Sequence, residues 1–139
     1  MAKKKREKPP GQEHWTWGDI DAGRREFHTR VAGVTFEGRQ GLIRRHCRAG
    51  MGVELRREPW NLRDRNAVGV WIRRRWLLFF RRRSKLGYVQ AHLAPEIADH
   101  LNRDWPSEAR VREVLGGVEG LDYGVELEIV LHAPDQETP

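Results

Sequence analysis

Residues 57–68 read Arg-Glu-Pro-Trp-Asn-Leu-Arg-Asp-Arg-Asn-Ala-Val and lie between two strand-like runs, Val53 to Arg57 and Ala67 to Ile72. Pro59 fixes its own φ, and the side chains of Asn61, Asp64 and Asn66 can hydrogen-bond nearby backbone N–H groups, so this stretch is an ordered turn and not a linker. No helix can run through it. The two flanking runs are therefore joined as neighbouring strands, and the turn leaves Asp64 between Arg63 and Arg65 at the mouth of a hairpin.

The rest of the chain has the same grain of short segments. Phe27 to Phe36 reads as a strand, Glu37-Gly38 as a turn, and Arg39 to Arg48 as a short helix with Leu42, Ile43 and Cys47 toward a core. Val53 to Arg57, Ala67 to Arg73 and Leu86 to Gln90 read as strands. His92 to Asn102 spaces Leu93, Ile97 and Leu101 four apart, with Pro95 in the first turn where its missing N–H does no harm, so it reads as an amphipathic helix. Ala109 to Val118 and Tyr123 to His132 are further strands. The last sets Val125, Leu127, Ile129 and Leu131 against Glu126, Glu128 and Val130, the pattern of an edge or sheet strand with one face buried. At 139 residues this is one domain. The expected fold is mainly β: a small, partly open β-barrel of about six strands with two short helices. The expected organisation is a basic N-terminal tail at 1–26, a domain at 27–132 and a polar C-terminal tail at 133–139. His14, Trp15 and Trp17 are unusual in a tail and can dock on the domain or on a partner.

Charge narrows the partners. The net charge is +6, with 26 Lys and Arg against 20 Asp and Glu, so any strong positive field comes from clustering. Such a balance favours polyanions, nucleic acid first and an anionic membrane surface second. The cluster is Arg73 to Lys85: Arg73-Arg74-Arg75, Trp76 to Phe80, then Arg81-Arg82-Arg83-Ser84-Lys85, without one acid. Arginines hold phosphates and stack on bases, and aromatics offer flat platforms. The plain structural alternative is a long hairpin with its apolar strand buried and a solvated basic rim. Interfacial membrane contact through Trp76, Phe79 and Phe80 is a weaker reading. Cys47 is the single cysteine, so no intrachain disulfide forms, as suits a reducing compartment. No apolar run reaches the roughly 20 residues of a membrane span, and no apolar stretch follows the basic N-terminus. A cytoplasmic, nucleoid-compatible protein is expected.

Catalytic signatures are weak. The six histidines are dispersed, and His46-Cys47 lacks a second pair at zinc spacing. No Gly-rich loop ends in Lys-Ser/Thr. Glu54, Glu58 and Asp64 lie close enough in sequence to suggest a metal-dependent nuclease, but strand alternation and Arg56, Arg57 and Arg63 separate them. No cofactor, metal or small-molecule substrate is expected.

Glu58-Pro59, Asn61, Asp64 and Asn66-Ala67, then Gly87-Tyr88, with Val31 to Phe36 upstream, occur in an order that resembles the HIRAN domain family over roughly Phe27 to Leu131. The resemblance implies an OB-like barrel that binds single-stranded DNA near a free 3′ end. It implies that Asp64 accepts a hydrogen bond from the terminal hydroxyl and that Phe36, with Tyr88, stacks near the terminal nucleotide. Arg63, Arg65 and the arginines 73–75 and 81–83, with Lys85, would hold phosphates. Thr35 stands where the family carries an arginine-like donor, Arg63 where it carries an aromatic, and Ala91 near its lysine. The family setting implies DNA repair, replication or mobile-element defence, with a helicase or nuclease in trans. Two rival functions are a protein-interaction adaptor using the Trp/Phe-rich hairpin and the nuclease.

Overall fold

The computed structural model describes residue 16, residues 23–77 and residues 79–133, and of Trp76 and Leu77 the backbone alone. The docking role of His14, Trp15 and Trp17, the C-terminal tail and the side chain of Trp76 therefore lie outside the described residues. Six strands and two helices follow in the order β1 (Arg24–Arg30), α1 (Arg39–His46), β2 (Glu54–Arg57), β3 (Val68–Leu77), β4 (Phe80–Tyr88), α2 (Ala94–Asn102), β5 (Ser107–Leu115) and β6 (Gly124–His132). They form two antiparallel three-stranded sheets, β1-β6-β5 and β2-β3-β4.

Alternation decides which faces meet. In β6, Val125, Leu127, Ile129 and Leu131 are fully buried; in β3, Val68, Val70 and Ile72 are. The two rows face one core with Ile43 from α1, Leu86 from β4 and Ile97 from α2. Each such side chain contributes about 1.5–3 kcal/mol by leaving water. β6 is the central strand of its sheet, pairing Phe27 of β1 with Ile129 and Val111 of β5 with Leu127.

The first strand runs earlier than Phe27 to Phe36. It begins at Arg24 and ends at Arg30, because Gly33 takes a left-handed φ of 73° and turns the chain away. Between the end of β1 and that glycine, Val31 donates to the Val125 carbonyl, and Ala32 exchanges both backbone bonds with Tyr88, at 2.7 and 2.9 Å. One short segment thus ties the β6 sheet to β4. Across the molecule, Val53 donates to Ala109 and Gly52 bridges Arg110, tying β2 to β5. The sheets are joined at both sides by short bridges and not by continuous pairing, a partly open β-barrel. Gly87 is needed at the first bridge: a Cβ there would lie 2.2 Å from the Ala32 carbonyl oxygen.

The segment Arg73 to Lys85 is one hairpin, β3 running into β4, with pairing down to Leu77 and Phe80. Of its apolar residues, the two whose side chains are described, Phe79 and Phe80, lie at the far end and are 90% and 61% exposed. Beyond Ile72 the hairpin leaves the core, and among the described residues no element covers those rings.

Candidate nucleic-acid interface

The Ala32–Tyr88 bridge sets one wall of a cleft of about 780 Å³ lined by Phe36, Arg39, Asn61, Arg63, Asp64 and Tyr88, among others. Phe36 sits in a turn whose backbone closes from Phe36 to Gly33 and from Arg39 to Phe36, which pushes the ring outward to 65% exposure. Its solvent-facing position removes the core-packing reading of this residue. Directly after the turn, Arg39 opens α1 and is only 6% exposed. It donates from Nη1 to the Gly33 carbonyl at 2.8 Å and from Nη2 to Glu37 at 3.1 Å, and its guanidinium lies 5.6 Å from the centre of the Tyr88 ring.

The opposite lip is the loop 58–67, and its polar residues hold one another. Asn61 Oδ1 accepts from the Arg63 and Asp64 N–H groups, and Asp64 Oδ1 accepts from Asn66 N–H at 2.8 Å. Arg57 clamps the far end by donating to the carbonyls of Arg65 and Ala67. Asn61 is thus a turn-forming residue, as Asx chemistry dictates. Asp64 spends one oxygen on the turn and lines the cleft, and among the described residues its second oxygen has no partner.

Tyr88 is held from behind. Lys85 Nζ donates to Tyr88 Oη at 2.9 Å and to Glu58 Oε1 at 2.7 Å. Glu58 is 7% exposed, so this is a mostly buried ion pair. Desolvation alone would lower the Lys85 ammonium, but its hydrogen bonds to Glu58 and Tyr88 outweigh that and hold it above the usual lysine value. Gly69 leaves room for the Trp71 indole: a Cβ there would sit 2.7 Å from Trp71 Nε1.

Four residues singled out in the sequence, Phe36, Arg63, Asp64 and Tyr88, come together around the cleft. Arg65 lies on the same loop, exposed, outside the lining. The arginines of the hairpin face one another across the strands, Arg73 with Arg83, Arg74 with Arg82 and Arg75 with Arg81. Lys85 sits among its partners, where it positions Tyr88. Arg39 was not singled out by sequence, although its place just after the Phe36 turn is a signal. Val89 and Ala91 complete the wall, and Ala91 leaves that side without a cation. The three carboxylates of the nuclease reading do not converge: Glu54 pairs with Arg73 and Arg83, Glu58 with Lys85, and Asp64 with its own turn. Elsewhere, Glu26, His28 and Glu128 lie close together on the β1-β6-β5 sheet, with Glu128 paired to Arg110. Among the described residues no helix is long and apolar enough to cross a membrane.

The fold has solved counterparts. A crystal structure of a protein from Lactobacillus plantarum superposes with a TM-score of 0.52 at 22% identity, covering 79% of this chain and all of that one. The crystal structure of the HIRAN domain of human HLTF superposes with a TM-score of 0.53 at 18% identity, covering 82% of this chain and 78% of that one. No curated protein matches the sequence. Residues 25–132, from the first paired strand to the end of the last, match the HIRAN domain, and the chain belongs to that family.

Proposed function

We propose that this protein binds single-stranded DNA at a free 3′ end, with the terminal nucleotide in the cleft between Phe36 and Asp64. Its family supports the coarser half of the reading, since HIRAN domains are nucleic-acid-binding modules and not catalytic ones. The observation that carries the finer half is the cleft itself: an exposed ring, an ordered carboxylate with one oxygen unspent, and two guanidiniums, Arg39 and Arg63, on one concave surface. Phe36 offers a base a stacking face worth about 1–3 kcal/mol. Asp64 accepts the 3′-hydroxyl hydrogen bond, and a further phosphate at that point meets a like charge, so chain ends are preferred to internal sites. Arg39 and Arg63 hold the penultimate phosphate. Arg39 thereby supplies, from α1, the cation absent at Thr35 and Ala91. Arg65 and the arginines 73–75 and 81–83 form the outer basic surface. A helicase or nuclease acting in trans in DNA repair fits such an end-reader.

The test is fluorescence anisotropy on three labelled DNAs: a single strand with a free 3′-hydroxyl, the same strand with a 3′-phosphate, and a blunt duplex. The proposal expects tightest binding to the first. Equal affinity for all three would leave a generic basic surface. A second reading, a protein-interaction adaptor, has one specific observation in its favour, the exposed Phe79 and Phe80. It expects weak binding to all three DNAs and salt-insensitive binding to the protein partner.

A further inference from the structure

The β2-β3-β4 sheet carries a continuous row of rungs on its outer face. From the cleft outward the register pairs Gly69 with Tyr88, Trp71 with Lys85, Arg73 with Arg83 and Arg75 with Arg81. Rungs two residues apart lie about 6.8 Å from one another. The row begins at Tyr88, in the wall of the cleft, and ends in paired arginines. Like charges directly opposite in a sheet repel. One of these rungs is relieved from within the chain: Glu54, opposite Trp71 on β2, receives Arg73 Nε at 2.7 Å on one oxygen and Arg83 Nε at 3.1 Å on the other. Among the described residues, Arg75 and Arg81 meet no carboxylate.

A carboxylate whose two oxygens each take one guanidinium N–H reproduces the way a phosphodiester's two free oxygens are held. We infer that the Arg73–Arg83 rung is a seat for a backbone phosphate of the strand leaving the cleft, and that Glu54 is its internal stand-in, competing with that phosphate. The inference rests on the end-binding reading for the direction of the strand. It adds a length dependence and a built-in brake on affinity. All three side chains are partly exposed, so a phosphate can reach the arginines and displace Glu54 without unfolding the sheet. Short strands that fill only the cleft do not feel the brake; longer ones do.

The experiment compares the full chain with Glu54→Gln and with Glu113→Gln, a charge-matched change on the other sheet, using a thymidine dinucleotide and a thymidine octanucleotide, both with free 3′-hydroxyls. Glu54→Gln is expected to tighten the octanucleotide about fivefold. It should leave the dinucleotide within twofold and steepen the octanucleotide salt slope by about 0.7, one more phosphate neutralised. Arg83→Gln should weaken the octanucleotide and cancel most of the Glu54→Gln gain in the double variant. Unchanged or weaker octanucleotide binding by a folded Glu54→Gln protein overturns the inference, as does an equal gain in Glu113→Gln or absence of binding by both proteins. Loss of the preference for a free 3′-hydroxyl with the Glu54→Gln gain intact would instead sink the end-binding reading alone.

Discussion

The Asp64 carboxylate has one observed use and one proposed use, and they can be separated. The turn uses Oδ1 as an acceptor from Asn66, a job an asparagine carbonyl performs equally well. The proposed reading of the 3′-hydroxyl uses the charge. Asp64→Asn should therefore keep the midpoint of thermal unfolding within a few degrees while the affinity ratio between 3′-hydroxyl and 3′-phosphate strands falls toward one. A ratio that survives in a folded variant would remove Asp64 from end recognition. Lys85 is the converse case, a cation whose observed partners, Glu58 and Tyr88, lie within the fold. Removing it leaves Glu58 buried without its partner, and Lys85→Met should cost about 3 kcal/mol in urea unfolding. The double change with Glu58→Gln should recover much of that loss, because a neutral amide needs no counter-charge. Recovery would distinguish a buried pair from a surface one, where both single changes would be nearly silent.

Composition alone marks the β3–β4 hairpin as a candidate basic surface. What could not be read was its partition. Alternation stops at Ile72 because the core stops there, and Arg73 to Arg75 then face Arg81 to Arg83 rung for rung. Register depends on the bulge between Val70 and Trp71, which no local pattern of residues announces. The same reason hid Glu54: only pairing across three strands brings it between Arg73 and Arg83. An all-arginine rung without a carboxylate works against its own sheet. The double change Arg75→Gln, Arg81→Gln should therefore leave stability equal or slightly raised, by a few tenths of a kcal/mol, since opposed like charges are removed. On a long single strand it should lower the log–log salt slope by about 1.4, two phosphates at about 0.7 each. A fall in stability with no change in slope would make these arginines structural.

At the scale of the whole molecule the strands and helices were legible because each obeys its own period, while the closure was not. The clearest example is Val31 to Phe36, which has a strand-like composition yet acts as a strap from β6 to β4, with Phe36 turned to solvent. Cys47 shows the other side of the same core. Its place one turn after Ile43 marked it as inward-facing, and burial pushes its thiol up to about 11 from an ordinary 9.0. A thiol with a raised pKa keeps its proton in the folded state after the unfolded chain has lost it. The folded state is thus favoured fully below pH 9, and that part of its stability drains away as pH climbs from 9 toward 11. One such shift is worth about 2–3 kcal/mol across that window. Lys85, raised in the same sense by Glu58 and Tyr88, extends the loss upward beyond 10.5. Urea unfolding measured at intervals from pH 7 to 11 should show stability falling above 9, and Cys47→Ala should flatten the stretch between 9 and 11 even though it lowers the plateau by leaving a small void. At pH 8 the native thiol should react with a disulfide reagent far more slowly than in denaturant, since both burial and the raised pKa withhold the thiolate. A thiol that reacts at the same rate folded and unfolded would mean that the face of α1 carrying Ile43 and Cys47 is not sealed against the sheets, and the cleft that α1 supports through Arg39 would lose its floor.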